Sequence, residues 1–386
     1  MSWPVRIILP EEPVPVIRWK WWVGVLLCIL MLIALAGVSI QLIDTSERKA
    51  YGQWILFVLV VSVGCYFLLV ALRVYFYGMR LTASEAYKKE SLLLKQTWTR
   101  WASKSVIVST HHLFVPAEIS LQKIVSEKPV DVYKGQSLKL SDNDYTEEQV
   151  FYELLSSIRV TLKELSTICT FDVIFLYESS YSSFSLFKSC WSRIGLSEEK
   201  LTDNACFSVG NYADCFEKIV GSESNRVSVV ISINIEGREA DIELGTEFAS
   251  ITLMSSRNYF TESNDCNAIL RPMICRIVEV EEALSRMKTY QPEICNVSSV
   301  FFSGMPAGDI MAINDVLYKS FSKELKWQDL NMAMGNLAGE HLGLVLPFAL
   351  YYANFTKKSV LMISKLKDKC IINVVKPVFI NKETEN

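Results

Sequence analysis

Histidine is nearly absent from this chain, with His111, His112 and His341 the only three among 386 residues. That scarcity leaves few ways to pair a cysteine nucleophile with an imidazole base, and it removes the commonest metal ligand. The ten cysteines form no C-x-x-C pair and no grouping with histidine, so they read as reduced thiols rather than as a metal site. No metal and no cofactor is expected. A net charge of −3 and the lack of a basic block with interleaved aromatics argue against nucleic-acid binding.

Charge is missing altogether from two stretches, residues 21–43 and 54–72. Each is long enough to cross a hydrocarbon core of about 30 Å as a helix. The short polar loop between them makes a hairpin. Arg6, Arg18 and Lys20 precede the first stretch, and Arg80, Lys88, Lys89, Lys95, Arg100 and Lys104 follow the second, whereas the loop holds only Arg48 and Lys49. The asymmetry predicts both termini in the cytoplasm. Trp19, Trp21, Trp22, Trp54, Tyr75, Phe76 and Tyr77 are placed as interfacial anchors. The expected organisation is a tail at 1–20, a transmembrane hairpin at 21–77, a juxtamembrane helix and connector at 78–145, and an α/β domain at 146–386. Thr82 and Glu85 fit a capping box opening that helix, which can equally be an extension of the second span.

Farther along, period-3.6 and period-2 patterns alternate. Residues 147–165, 213–220 and 268–287 read as helical, the last interrupted by Pro272, and 113–119, 171–177, 226–235, 246–255 and 297–302 read as strands. Asp309 is placed to cap a helix over 310–321, an apolar helix runs through Tyr352, and strands are expected at 359–363 and 370–376. This is the pattern of an α/β fold with buried strands. Asp142, Asp144, Glu147 and Glu148 read as a solvated loop and helix start. Gly335, Gly339 and Gly343 repeat every four residues and point to close helix packing, not to a phosphate cradle. Cys206 and Cys215 are the only places faintly suggestive of a nucleophile.

The order strand, Pro-Gly-Asp helix, Gly-rich entry, buried helix and final hairpin resembles the C-terminal half of the thiolase-like fold of β-ketoacyl synthases. Gly304-Met305-Pro306-Ala307-Gly308-Asp309 looks like part of that family's first histidine motif, and Met334-Gly335-Asn336-Leu337-Ala338-Gly339 like its second. The resemblance puts Phe301 and Asn336 where the catalytic histidines are expected, which implies a non-catalytic pseudoenzyme. Separately, the start from Trp3-Pro4-Val5-Arg6, the two apolar runs and the segment ending Trp98-Thr99-Arg100-Trp101 resemble accessory inner-membrane proteins of bacterial type VI secretion clusters. That resemblance implies an adaptor that binds a secretion effector or an apparatus component, with a homodimer as the expected assembly. A membrane-bound cysteine-dependent acyltransferase or lipid-modifying enzyme is the alternative, and an immunity protein against a secreted toxin a further one.

Overall fold

The computed structural model of the chain describes residues 3–5, 13–40, 48–126, 132–141, 145–203, 205–207, 212–222, 225–235, 245–257, 259, 266–321, 324–337 and 341–378. They fall into two compact units, Val5–Thr97, and Met1–Pro4 with Trp98–Asn386.

The first unit holds α1 (Trp19–Ile40) and most of α2 (Arg48–Ala102). Both contain segments long and apolar enough to cross a membrane. Leu27, Leu32, Trp54, Phe57, Val60 and Leu68 are exposed, the reverse of a helix that packs an apolar stripe against a soluble core. Tyr66 is a buried exception among the apolar residues there, and its hydroxyl donates to the Trp22 carbonyl at 3.0 Å. No capping box forms at Thr82. Its hydroxyl bonds back to the Gly78 and Met79 carbonyls inside a continuous helix, because the preceding turn already supplies acceptors and nothing breaks α2 there.

The second unit runs β1 (Ser105–Phe114), α3 (Leu121–Val125), α4 (Glu147–Ser157), α5 (Arg159–Ser166), β2 (Thr170–Phe175), α6 (Tyr181–Arg193), β3 (Cys206–Phe207), α7 (Tyr212–Val220), β4 (Arg226–Asn234) and β5 (Phe248–Ser255). It continues with β6 (Asn267–Leu270), β7 (Met273–Arg276), α8 (Val280–Tyr290), β8 (Ser299–Ser303), α9 (Ala307–Ser320), β9 (Lys326–Asp329), α10 (Leu330–Met334), α11 (His341–Thr356), β10 (Val360–Leu366) and β11 (Lys369–Pro377). The unit thus takes in β1, which the sequence patterns left in a connector.

The strands share one sheet in the order β3-β2-β4-β5-β1-β6-β11-β10-β8-β9, with β7 also on β11. That order hides a duplication. From one edge inward, β3, β2 and β4 are parallel, while β5 is antiparallel to both β4 and β1. From the other edge, β9, β8 and β10 are parallel, while β11 is antiparallel to both β10 and β6. Each half therefore repeats the internal order 3-2-4-5-1, and an antiparallel pairing of β1 with β6 joins them.

Strand alternation sorts the core into layers. Phe171, Val173 and Phe175 of β2, the odd positions of β4 from Val227 to Ile233, and Ile251 and Leu253 of β5 pack with α4 and α6 residues such as Phe151, Phe187 and Trp191. The even positions Ile174, Val230, Phe248 and Met254 face a second cluster with α7 and α11 residues, and so do Phe301, Val360, Met362 and Val375 of the second half. Helices α7 and α11 are therefore a middle layer shared by both half-sheets. The largely apolar composition of β4, β5 and β10, buried along nearly their whole length, follows from being covered on both faces.

Two sequence expectations fail here. Residues 268–276 form β6 and β7, not helix, because pairing with β1 and β11 outweighs local propensity at Ala268, Ile269 and Leu270. Asp309 does not cap α9; Pro306 stands at the cap, and Asp309 lies in the first turn with Lys365 at 3.6 Å.

On β1 a bulge between Val108 and Thr110 resets the register, so His111 pairs with Thr252 and turns toward the middle layer. Desolvation, with His112 adjacent, lowers its pKa from 6.5 to about 4. The imidazole is neutral at pH 7. Between pH 6.5 and 4 the unfolded chain binds this proton and the folded chain does not, so stability falls with pH across that window, by about 3 kcal/mol. Thermal unfolding of the full chain in detergent at pH 7 and pH 5 should show about 2 kcal/mol of that loss, and His111→Gln should reduce it. Equal pH dependence in the two proteins would refute the assignment.

Candidate functional site

The third strand of the first half begins with a cysteine, Cys206. β3 is only two residues long, pairs with β2 alone, and leads into α7. Cys206 is half-buried and packs against the middle-layer cluster. Through the registers it shares one transverse row with Ile174, Val230, Thr252 and His111. Four strand spacings at about 4.8 Å place His111 roughly 19 Å from Cys206, too far for direct proton transfer. Cys215, one turn into α7, is buried, and desolvation with Cys206 nearby pushes its thiol up to about 12. It stays protonated at neutral pH and is no nucleophile.

The corresponding junction of the second half lies between α10 and α11, where Gly335 adopts φ +82. A side chain at Gly335 would meet Thr246 Oγ1 at 2.6 Å, so the position needs both glycine's conformational range and its lack of bulk. The next residue, Asn336, is pinned by its backbone: its N–H donates to the Gln136 carbonyl at 2.7 Å and its carbonyl accepts from Thr246 N–H at 2.6 Å. Its carboxamide stands on a fixed backbone, and a carboxamide N–H is a competent donor to an oxyanion. Farther on, Gly343 sits against Ser232, and its carbonyl accepts from Ser250 Oγ at 2.6 Å. Gly339 lies outside the described residues.

Phe301, where the resemblance expects a histidine, is buried at mid-strand in β8 and packs on Phe348 and Tyr352 with centroids 5.0 and 4.9 Å apart. It is a packing residue. His341 opens α11. Glu147 accepts from Tyr177 and Ser183 hydroxyls, and Glu148 pairs with Arg193, so both hold α4 in place; Asp142 and Asp144 lie outside the described residues. Among the described residues no cluster of His, Cys, Asp and Glu could hold a metal.

Sequence reasoning missed one pair. Tyr212, the first residue of α7, is buried, and Asn373 Nδ2 of β11 donates to its hydroxyl at 3.1 Å. The one usable signal was a lone Asn373 inside the run Ile371-Ile372-Asn373-Val374-Val375, since a buried amide in an apolar strand requires a partner.

No family model and no curated protein matches this chain by sequence. Solved structures do match in fold. ChlB3, an acyltransferase, superposes with a TM-score of 0.50 at 7% identity, covering 71% of this chain and 98% of ChlB3. AbyA1, a tetronic acid condensing enzyme, gives 0.49 at 8% over 70% of this chain and 100% of its own. The 3-oxoacyl-[acyl-carrier-protein] synthase III from Aquifex aeolicus VF5 gives 0.45 at 14% over 70% and 99%. ChlB3 carries the likeness of fold.

These neighbours correct the expectation of a pseudoenzyme. ChlB3, which carries the likeness of fold, bears the name of an enzyme, and the step from two absent histidines to absent catalysis does not hold physically. Asn336 offers a donor without imidazole, and Cys206 supplies a thiol at the strand-to-helix junction. With its two 3-2-4-5-1 halves around shared middle helices, the chain has a mixed α/β, thiolase-like fold.

Proposed function

We propose that this chain is a membrane-anchored acyl-transfer enzyme that works through Cys206. The observation that carries the reading is that Cys206, on the third strand of one half, and Asn336, beyond the third strand of the other, each precede the middle-layer helix of their half. Cys206 Sγ attacks the carbonyl carbon of an acyl thioester. The Asn336 carboxamide donates to the developing oxyanion, the leaving thiol departs with the proton from Cys206, and the acyl group stays on Sγ. A second nucleophile then takes the acyl group and the thiol is restored. Apolar spans would hold the site beside a bilayer in which long acyl chains partition.

The hairpin topology belongs to the same proposal. Trp3 is buried, its indole donates to the Pro272 carbonyl at 2.8 Å, and its ring packs edge-on against Trp101 at 5.6 Å. A chain segment that leaves and returns to one folded unit crosses a bilayer an even number of times, in keeping with two spans and both termini in the cytoplasm. With exposed Cys295 replaced by serine, a cysteine at Ser46 should react with an impermeant thiol reagent in intact cells and one at Ser141 should not. Labelling at Ser141 would reverse the orientation. An inner-membrane place in a type VI secretion cluster, with an effector or apparatus component as acceptor or partner, is carried by the N-terminal segment from Trp3 to Trp101.

The reading is tested with the full chain in lipid nanodiscs supplied with a long-chain acyl thioester. Consumption of the thioester above the rate with empty nanodiscs is expected. Consumption equal to that background would end the proposal.

A further inference from the structure

The middle layer contains a buried polar pair that is one hydrogen bond short. Tyr212 is 5% exposed and Asn373 is fully buried. With Asn373 Nδ2 donating to Tyr212 Oη, the Asn373 Oδ1 atom has no partner, and the phenol proton meets no acceptor among the described residues. In the reverse orientation the phenol donates to Oδ1 and the two N–H groups of Nδ2 are left over instead. Either way a donor without an acceptor faces the interior, where an unmatched polar group costs about 1–3 kcal/mol. A cost of that kind calls for an explanation, and a ligand that supplies the missing partner is one.

The location fits an acyl carbonyl. Asn373 shares a transverse row with Met362 and Phe301 on the face turned to the middle layer. Tyr212 opens α7, the helix that follows Cys206, and lies one turn from Cys215. Cys215 in turn interacts electrostatically with both Cys206 and Tyr212, which places all three in one neighbourhood. Tyr352 is different in kind: its hydroxyl is matched with Ser299 at 2.6 Å.

The geometry points to the Tyr212–Asn373 pair as a second hydrogen-bond donor to the acyl carbonyl oxygen, doing the work that Phe301 cannot. Resting on the acyl-transfer reading, the inference adds a catalytic residue to it. Tyr212 stays protonated at neutral pH because burial raises its pKa, so it acts as a donor without needing a base.

The experiment is single-turnover acylation of Cys206 in the full chain in nanodiscs, using a long-chain acyl thioester and intact-protein mass spectrometry. Tyr212→Phe keeps the ring and removes the donor, and should acylate about 100-fold more slowly, as when one oxyanion donor is deleted. Asn373→Leu, close in shape, should also slow acylation. Replacing Tyr212 with 3-fluorotyrosine, a stronger acid, should change the rate in a way that a packing role would not. Wild-type acylation together with a Tyr212→Phe rate within twofold of it would overturn this inference and leave the enzyme reading standing. No wild-type adduct at Cys206 would overturn both. If Tyr212→Phe fails to fold, 3-fluorotyrosine and Asn373→Leu decide, and unchanged rates in both would refute the role.

Discussion

Gly343→Ala should destabilise the folded unit more than any other single-methyl addition in α11. The added Cβ would fall within the van der Waals radii of Ser232 Oγ and Cβ, with Phe248 at 3.3 Å closing the other side. Ser232 belongs to β4 and Phe248 to β5, both central strands, so neither backbone can retreat. Overpacking of this kind costs about 1–3 kcal/mol, and at its upper end it should lower the melting temperature by about 10 °C. The double variant Gly343→Ala with Ser232→Gly removes the clash and should recover most of the loss, because Ser232 Oγ makes no hydrogen bond that would be forfeited. An unchanged melting temperature in the single variant would mean that α11 does not lie against β4 as described.

The second large effect is on chemistry. Cys206→Ala should abolish acyl transfer, a loss on the order of 10⁴-fold or more, because nothing else nearby can carry the acyl group. Cys215 is held as a thiol by burial. The Cys275 and Cys370 sulfurs lie 3.6 Å apart at a buried cross-strand pair on the β7–β11 ladder, away from the Cys206 row. Cysteines 28, 65 and 295 are exposed, and alanine at each should leave transfer unchanged. Folding must be shown to be intact in Cys206→Ala, and a half-buried edge position makes that the expected result. Full activity in this variant would remove the proposed nucleophile.

Much of the architecture was legible because burial on both faces writes itself into β-branched runs. Strands β4, β10 and β11 are rich in Val and Ile, and the apolar residues of α4 and α5 recur at helical spacing. The two membrane-length helices were legible from absent charge alone. β1 was not, since Ser105, Thr110, His111 and His112 break the strand signature and only the bulge explains why His111 turns inward. The stretch across Arg271 and Pro272 reads as helix because it runs straight into the helical pattern of α8, whereas the deciding pairing partners, β1 and β11, lie far off in sequence.

The candidate site was legible only in fragments. Cys206 was only faintly suggestive in the sequence, because its strand is two residues long and makes sense only beside β2. Asn336 looked like a loss when compared with histidine. The pinning of its backbone by Gln136 and Thr246, one from a loop 200 residues earlier and one from the approach to β5, has no local sequence pattern. Tyr212 and Asn373 are 161 positions apart, and only the middle layer brings them together.

The most direct test is to locate the acyl group itself. Wild-type protein in nanodiscs is given a long-chain acyl thioester, quenched in acid, digested and mapped across all ten cysteines. A hydroxylamine-labile acyl mass on the peptide containing Cys206, formed at a saturable rate and discharged when an acceptor is added, is the predicted result. Acylation confined to exposed Cys295, or spread evenly among exposed thiols at the rate of uncatalysed exchange, would contradict it.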